Sequence, residues 1–116
     1  MQHRPFVTND LPVAIFNGTV VTTDGLYRIH QISVEAARTL IATRTITSAI
    51  GHKAAAELIS EILGVTVSEN RIRFIQQPGQ LAIALKLNTR PPEGAILSKE
   101  EMIAVGYSLS LIERLE

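Results

Sequence analysis

The chain has no cysteine and no tryptophan among its 116 residues. The first absence excludes a disulfide framework, a thiolate metal centre and a thiol nucleophile, and it fits a reducing compartment. An excess of one charge is missing too: 11 Lys and Arg stand against 11 Asp and Glu, a net charge of zero. Proteins that coat duplex nucleic acid usually carry a basic excess to displace counterions. Neutrality therefore argues against a duplex-DNA partner, yet leaves room for a small anion held by a few cationic side chains. No apolar run approaches the roughly 20 residues of a membrane span. The start, Met1-Gln2-His3-Arg4-Pro5, lacks the apolar core of a signal peptide. The expectation is a cytoplasmic protein with no membrane partner.

What is present suits one globular domain: the length is right for a single core, and 46% of the residues are hydrophobic. Pro5 and Pro12 mark residues 1–12 as a flexible arm, and 13–116 as the domain. Val13-Ala14-Ile15-Phe16 is a continuous apolar run, the pattern of a strand buried on both faces. Asn17-Gly18-Thr19 ends it, and Thr23-Asp24-Gly25 turns the chain into a second strand at Leu26-Tyr27-Arg28-Ile29. Ser33 caps a helix whose stripe is Val34, Ala37, Leu40 and Ile41. Thr45 to Ile50 is β-branched and extended. Gly51-His52 opens a second helix, with Ala55, Leu58, Ile59 and Leu63 on its apolar face and Gly64 as its stop. Arg71 to Ile75 alternates, and Pro78-Gly79 predicts a hairpin with Leu81 to Leu87. Ser98-Lys99-Glu100-Glu101 is a capping box for a last helix ending at Gly106, and Tyr107 to Ile112 alternates as a final strand. Together these predict an α/β fold of the mixed α+β kind, with a sheet of about five strands flanked by helices.

Few residues offer chemistry. His52 sits where a helix begins; first-turn amides there are unpaired and attract phosphate, and an adjacent histidine can hand a proton to a leaving oxygen. Arg90-Pro91-Pro92-Glu93-Gly94 is stiffened by two prolines, so Arg90 can meet a phosphodiester and Glu93 can orient a histidine. Arg71, Arg73 and Lys86 fall on the expected hairpin, and Asn17-Gly18-Thr19 follows a strand end, a common ligand position. Each also has an inert reading: an exposed helix-end histidine, a rigid surface turn, a solvated strand face. His3 and His30 have no partners at metal-ligand spacing, so no metal and no cofactor is expected.

As a set, Val13-Ala14-Ile15-Phe16-Asn17, Ser48-Ala49-Ile50-Gly51-His52, Glu69-Asn70-Arg71-Ile72 and Asn88-Thr89-Arg90-Pro91-Pro92-Glu93-Gly94 resemble the viral ring nucleases that act as anti-CRISPR proteins against type III systems. They resemble the bacterial mobile-element relatives of those proteins more closely still. The resemblance covers nearly the whole chain from Val13. It implies a homodimer that binds cyclic tetraadenylate across its two-fold interface and opens it without metal, leaving linear products with 2′,3′-cyclic phosphate ends. It implies that His52 is the general acid, that Arg90 and Glu93 complete the catalytic set, and that Asn17, Gly18, Thr19, Gly51, Arg71 and Lys86 meet the ligand.

The chain departs from that pattern in two places. After Gly-His the viral proteins carry Asp-Ser-Thr, where this chain has Lys53-Ala54-Ala55; their Asn-Ala-Phe-Ser loop is here Asn17-Gly18-Thr19-Val20. Hydroxyl groups are lost at both. Two other functions stay open: a sponge that holds a cyclic nucleotide uncut, and a regulatory or structural protein of a mobile element. A sponge needs no proton donor, so His52, Arg90 and Glu93 together favour the enzyme.

Overall fold

The computed structural model describes residues 11–17, 23–88 and 97–116. Its elements in chain order are β1 (Val13–Asn17), β2 (Tyr27–Ile32), α1 (Val34–Ile41), β3 (Ile46–Ser48), α2 (Lys53–Leu63), β4 (Leu81–Leu87), α3 (Lys99–Val105) and β5 (Tyr107–Arg114). The five strands form one mixed sheet in the order β2-β5-β4-β1-β3. β1 runs parallel to both β3 and β4, with Ile15 opposite Ser48 and Ile83. β5 is antiparallel to β4 and to β2.

The strand at the start of the domain is apolar on both sides because both sides are covered. Val13, Ala14 and Ile15 are wholly buried. Alternation along a strand sends successive side chains to opposite faces. Val13, Ile15, Leu81, Ile83, Leu85, Leu109 and Leu111 accordingly pack with Ala37 and Ile41 of α1, Leu58, Ile59 and Ile62 of α2, and Met102 of α3. All three helices thus serve one face of the sheet. The other face is built from the small or flat Ala14, Phe16, Ala82 and Ala84 with the larger Ile112, and Tyr27, Ala49 and Phe74 lie against them.

Local chemistry sets the helix limits. Ser33 accepts from the Ala36 amide at the start of α1. Ser98 and Glu101 close a reciprocal capping box on α3. Gly64, at φ 74°, stops α2 in the left-handed region. Arg38 of α1 then donates to the last carbonyls of α2, at Ile62 (2.7 Å) and Glu61 (3.3 Å), which ties the two helices together.

One expectation fails. Residues 71–75 form no strand, and the hairpin with β4 does not exist. Both edges of β4 are taken, by β1 on one side and β5 on the other, so a third partner finds no free amides. The segment instead crosses the helix-free face, where Phe74 packs on Phe16 with ring centroids 5.9 Å apart. Arg71 and Arg73 therefore share no strand face. The turn at Pro78-Gly79 is real, with Gly79 at φ 84°, but it returns an irregular segment. Two buried glutamines hold it. Gln76 Nε2 donates to the Gln80 and Ile112 carbonyls, while Gln80 Nε2 donates to the Pro12 carbonyl and its Oε1 accepts the Gln77 amide.

Smaller differences concern boundaries. β2 runs on to Ile32, β5 to Arg114, and the extended stretch before α2 is regular over Ile46–Ser48. Leu11 and Pro12 of the expected arm are described; residues 1–10 lie outside the described residues, as do Gly18, Thr19, Arg90 and Glu93. Among the described residues, no helix is long and apolar enough to cross a membrane.

Candidate functional site

Because β1, β3 and β4 run the same way, their carboxyl ends share one edge of the sheet. Asn17 ends β1, Ser48 ends β3, and Lys86 lies one residue beyond the Asn17–Leu85 pairing on β4. From Ser48 the chain passes through Ala49, Ile50 and Gly51 to His52, the N-cap of α2. Strand ends of this kind, followed by a helix start, are where open α/β sheets commonly hold ligands.

His52 has extended backbone angles (φ −130°, ψ 132°), and its side chain makes no cap bond to its own helix. It is exposed. The first turn of α2 contains no acidic residue and opens with Lys53. In α1 and α3 a serine occupies the cap and glutamates follow it. The helix dipole at α2 is therefore left without the usual local anion.

The backbone that delivers His52 is clamped from a distant stretch of chain. Asn70 donates twice, from its amide to the Ile50 carbonyl (2.7 Å) and from Nδ2 to the Ser48 carbonyl (2.6 Å). Arg71 Nη2 donates to the Gly51 carbonyl at 3.2 Å. The Ser48 hydroxyl donates to the Ser68 carbonyl and accepts the Ile50 amide. Arg71 also lies across Gly51, with its Nε 3.5 Å from where a β-carbon would stand. That is ordinary contact, so space alone does not demand glycine there.

Of the nine residues that the resemblance assigns to the site, the structure brings Gly51, His52 and Arg71 together. Asn17 and Lys86 reach the same end of the sheet from opposite faces. Asn17 follows the parity of Val13 and Ile15, toward the helices; Lys86 follows Ala82 and Ala84, away from them. Arg90, Glu93, Gly18 and Thr19 lie outside the described residues. Sequence reasoning gave no role to Ser48 or Asn70. Their only signal was that Ser48 shortly precedes the Gly51-His52 pair and that Asn70 adjoins Arg71.

A groove elsewhere on α2 is lined by Glu57, Glu61 and Glu69 with Lys53 and Lys99. Its cations are partly spent, since Lys99 meets Glu61 at 2.6 Å. Hydrogen bonding and attraction to that carboxylate hold the Lys99 ammonium above its ordinary range. Among the described residues, no three His, Cys, Asp or Glu side chains gather as a metal site would need.

Fold and site define a small two-layer α+β domain that presents a histidine and an arginine at the carboxyl end of a mixed sheet. The chain belongs to the STIV B116-like family, whose family model matches residues 13–109. It is 38% identical over 93 residues to protein ORF117 of Acidianus two-tailed virus, covering 78% of this chain and 80% of that protein. It is 32% identical over 90 residues to protein 26 of Sulfolobus islandicus filamentous virus, covering 75% of this chain and 76% of that one. YddF of Bacillus subtilis is 29% identical over 108 residues, which is 91% of this chain and all of YddF. B116 of Sulfolobus turreted icosahedral virus has the same fold, with a TM-score of 0.66 at 20% identity over 89% of this chain and 99% of that chain. The relatives thus include viral proteins and a bacterial one.

Proposed function

We propose that the chain is a metal-independent ring nuclease that opens cyclic oligoadenylate, with cyclic tetraadenylate the preferred ring, and so switches off type III CRISPR signalling. The observation that carries this reading is the Gly51–His52 helix start, where an uncapped first turn, an exposed histidine and Arg71 converge. A ribose 2′-hydroxyl attacks its own neighbouring phosphorus, and the bond to the 5′-oxygen breaks. The enzyme's task is to bring attacker and leaving oxygen into line. First-turn amides and Arg71 favour the negative charge on the phosphorane oxygens, with Arg90 joining them by resemblance. His52 gives its proton to the departing 5′-oxygen, and the 2′-hydroxyl proton passes to solvent. Products are linear oligoadenylates with a 2′,3′-cyclic phosphate and a free 5′-hydroxyl. A second copy related by a two-fold axis would meet a ring of matching symmetry, so the working form is a homodimer.

The deciding experiment incubates pure protein with a panel of cyclic oligoadenylates, with and without chelator. Cleavage to cyclic-phosphate ends, unchanged by chelator, supports the reading. Tight binding without cleavage makes the protein a sponge, and neither binding nor cleavage returns it to a regulatory or structural role. Light scattering with ligand present tests the dimer; a monomer at micromolar concentration ends that part.

A further inference from the structure

We propose that Asn70 is a positioning residue for His52, acting through the turn between β3 and α2; the proposal rests on the reading of His52 as proton donor. Residues 49–52 belong to neither strand nor helix; the Ala49 amide still donates to the Ile15 carbonyl of β1 at 2.8 Å, and beyond that bond no sheet ladder holds the chain up to His52. Two anchors hold the turn from inside. Ile50 is wholly buried, and the carbonyls of Ser48 and Ile50 both accept from Asn70, at 2.6 and 2.7 Å. Arg71 adds a longer bond to the Gly51 carbonyl from an exposed side chain. Asn70 is half-buried, and its reach from Cα to amide nitrogen is short, so it fixes position more tightly than the long arginine does.

The chemistry selects asparagine. The backbone amide holds the Ile50 carbonyl and any residue but proline supplies it; the Ser48 carbonyl needs a side chain that donates. Aspartate would set a carboxylate oxygen against the Ser48 carbonyl, and glutamine would be one methylene too long. The Ser48 hydroxyl completes the brace by donating to Ser68, two residues before Asn70. The 68–71 stretch and the 48–51 turn therefore move as one piece, and His52 moves with them. Displacing a catalytic group by about 1 Å lowers turnover by as much as a hundredfold. Asn70 makes no contact with the ring in this account, so its loss affects rate more than affinity.

The test uses the full chain with cyclic tetraadenylate as the probe. Asn70→Asp keeps the side-chain shape and removes the donor at neutral pH. Single-turnover cleavage should slow by about ten- to a hundredfold, while the ring's dissociation constant changes less than about threefold. The deficit relative to wild type should shrink as pH falls and the new carboxyl protonates, because the acid form donates again. Amide exchange should quicken at residues 49–52 and stay unchanged in α1. A wild-type rate with wild-type exchange overturns the proposal. A fall in affinity as large as the fall in rate also overturns it, since Asn70 would then be a ligand contact. If Asn70→Asp does not fold, Ser48→Ala, which removes the hydroxyl that donates to the Ser68 carbonyl and accepts the Ile50 amide, is read by the same rate, affinity and exchange criteria. If wild type cuts no ring, the nuclease reading fails separately, and exchange decides the clamp: local quickening at 49–52 upholds it, and its absence ends it.

Discussion

Asn88 lies directly over Gly106: a β-carbon at Gly106 would stand 2.5 Å from the Asn88 side-chain nitrogen. The Asn88 amide also donates to the Gly106 carbonyl at 3.0 Å. The residue that stops α3 and the residue that follows β4 are thus packed with no room between them. Gly106 sits at φ 84°, where a side chain is strained even in open space. Gly106→Ala should destabilise the fold by about 1–3 kcal/mol, read as a lower urea midpoint with unchanged slope. Adding Asn88→Ala should recover the steric part and leave the backbone part. A Gly106→Ala midpoint equal to wild type would show that the contact yields freely.

His52→Ala should lower cleavage of cyclic tetraadenylate by about a hundred- to ten-thousand-fold and leave binding largely intact, since a general acid acts mainly in the transition state. Arg90→Ala should weaken both, because a phosphate-holding arginine serves ground state and transition state alike. Single-turnover rates and equilibrium binding on the two variants separate the roles. A His52→Ala protein that cuts at the wild-type rate removes His52 from the mechanism.

Gln80→Leu keeps the side chain's bulk and removes its polar atoms. The Pro12 carbonyl and the Gln77 amide, held at 2.9 and 2.8 Å, would each lose a partner. Stability should drop by about 1–3 kcal/mol. Denaturant titration measures it, and no change would mean that water replaces both bonds at no cost.

The Lys99–Glu61 pair predicts a pH window. Its ammonium is held above the ordinary 10.5, so the folded value exceeds the unfolded one. The stabilisation is then fully present below 10.5 and fades as pH rises through the folded value. Both partners are part-exposed, so the effect is small. Lys99→Met should melt slightly below wild type at neutral pH, and the gap should close in strongly alkaline buffer. A gap that widens there would reverse the sign of the linkage.

The legible parts of this fold are those set by local chemistry. The Ser33 cap, the Ser98–Glu101 box and the Gly64 stop depend on residues within one turn of each other, and each helix lies where these signals put it. The apolar run at Val13 announced a strand covered on both faces. Residues 71–75 misled because alternation measures the side chains' environment and says nothing of which edges are free. Phe74 alternates with its neighbours because it packs on Phe16, while β1 and β5 already occupy β4. The place of His52 at a helix start was legible, because Gly51-His52 precedes the apolar stripe of α2 in sequence. The part played by Asn70 was illegible, since its work is done on carbonyls some twenty residues away.

The strand order has a consequence for how the chain folds. Among the described residues, β2 pairs with β5 alone, through contacts such as Arg28 to Glu113, 85 residues apart. β1 meets β3 sooner, at Ile46, but its other edge waits for β4, where Ala14 pairs with Ala82. Until residues 107–114 have been made, β2 can join no sheet. Pairings this remote in sequence are slow to close. The chain therefore cannot complete its sheet in step with its synthesis: β4 gains its second neighbour, and β2 its first, only when the last strand inserts between them.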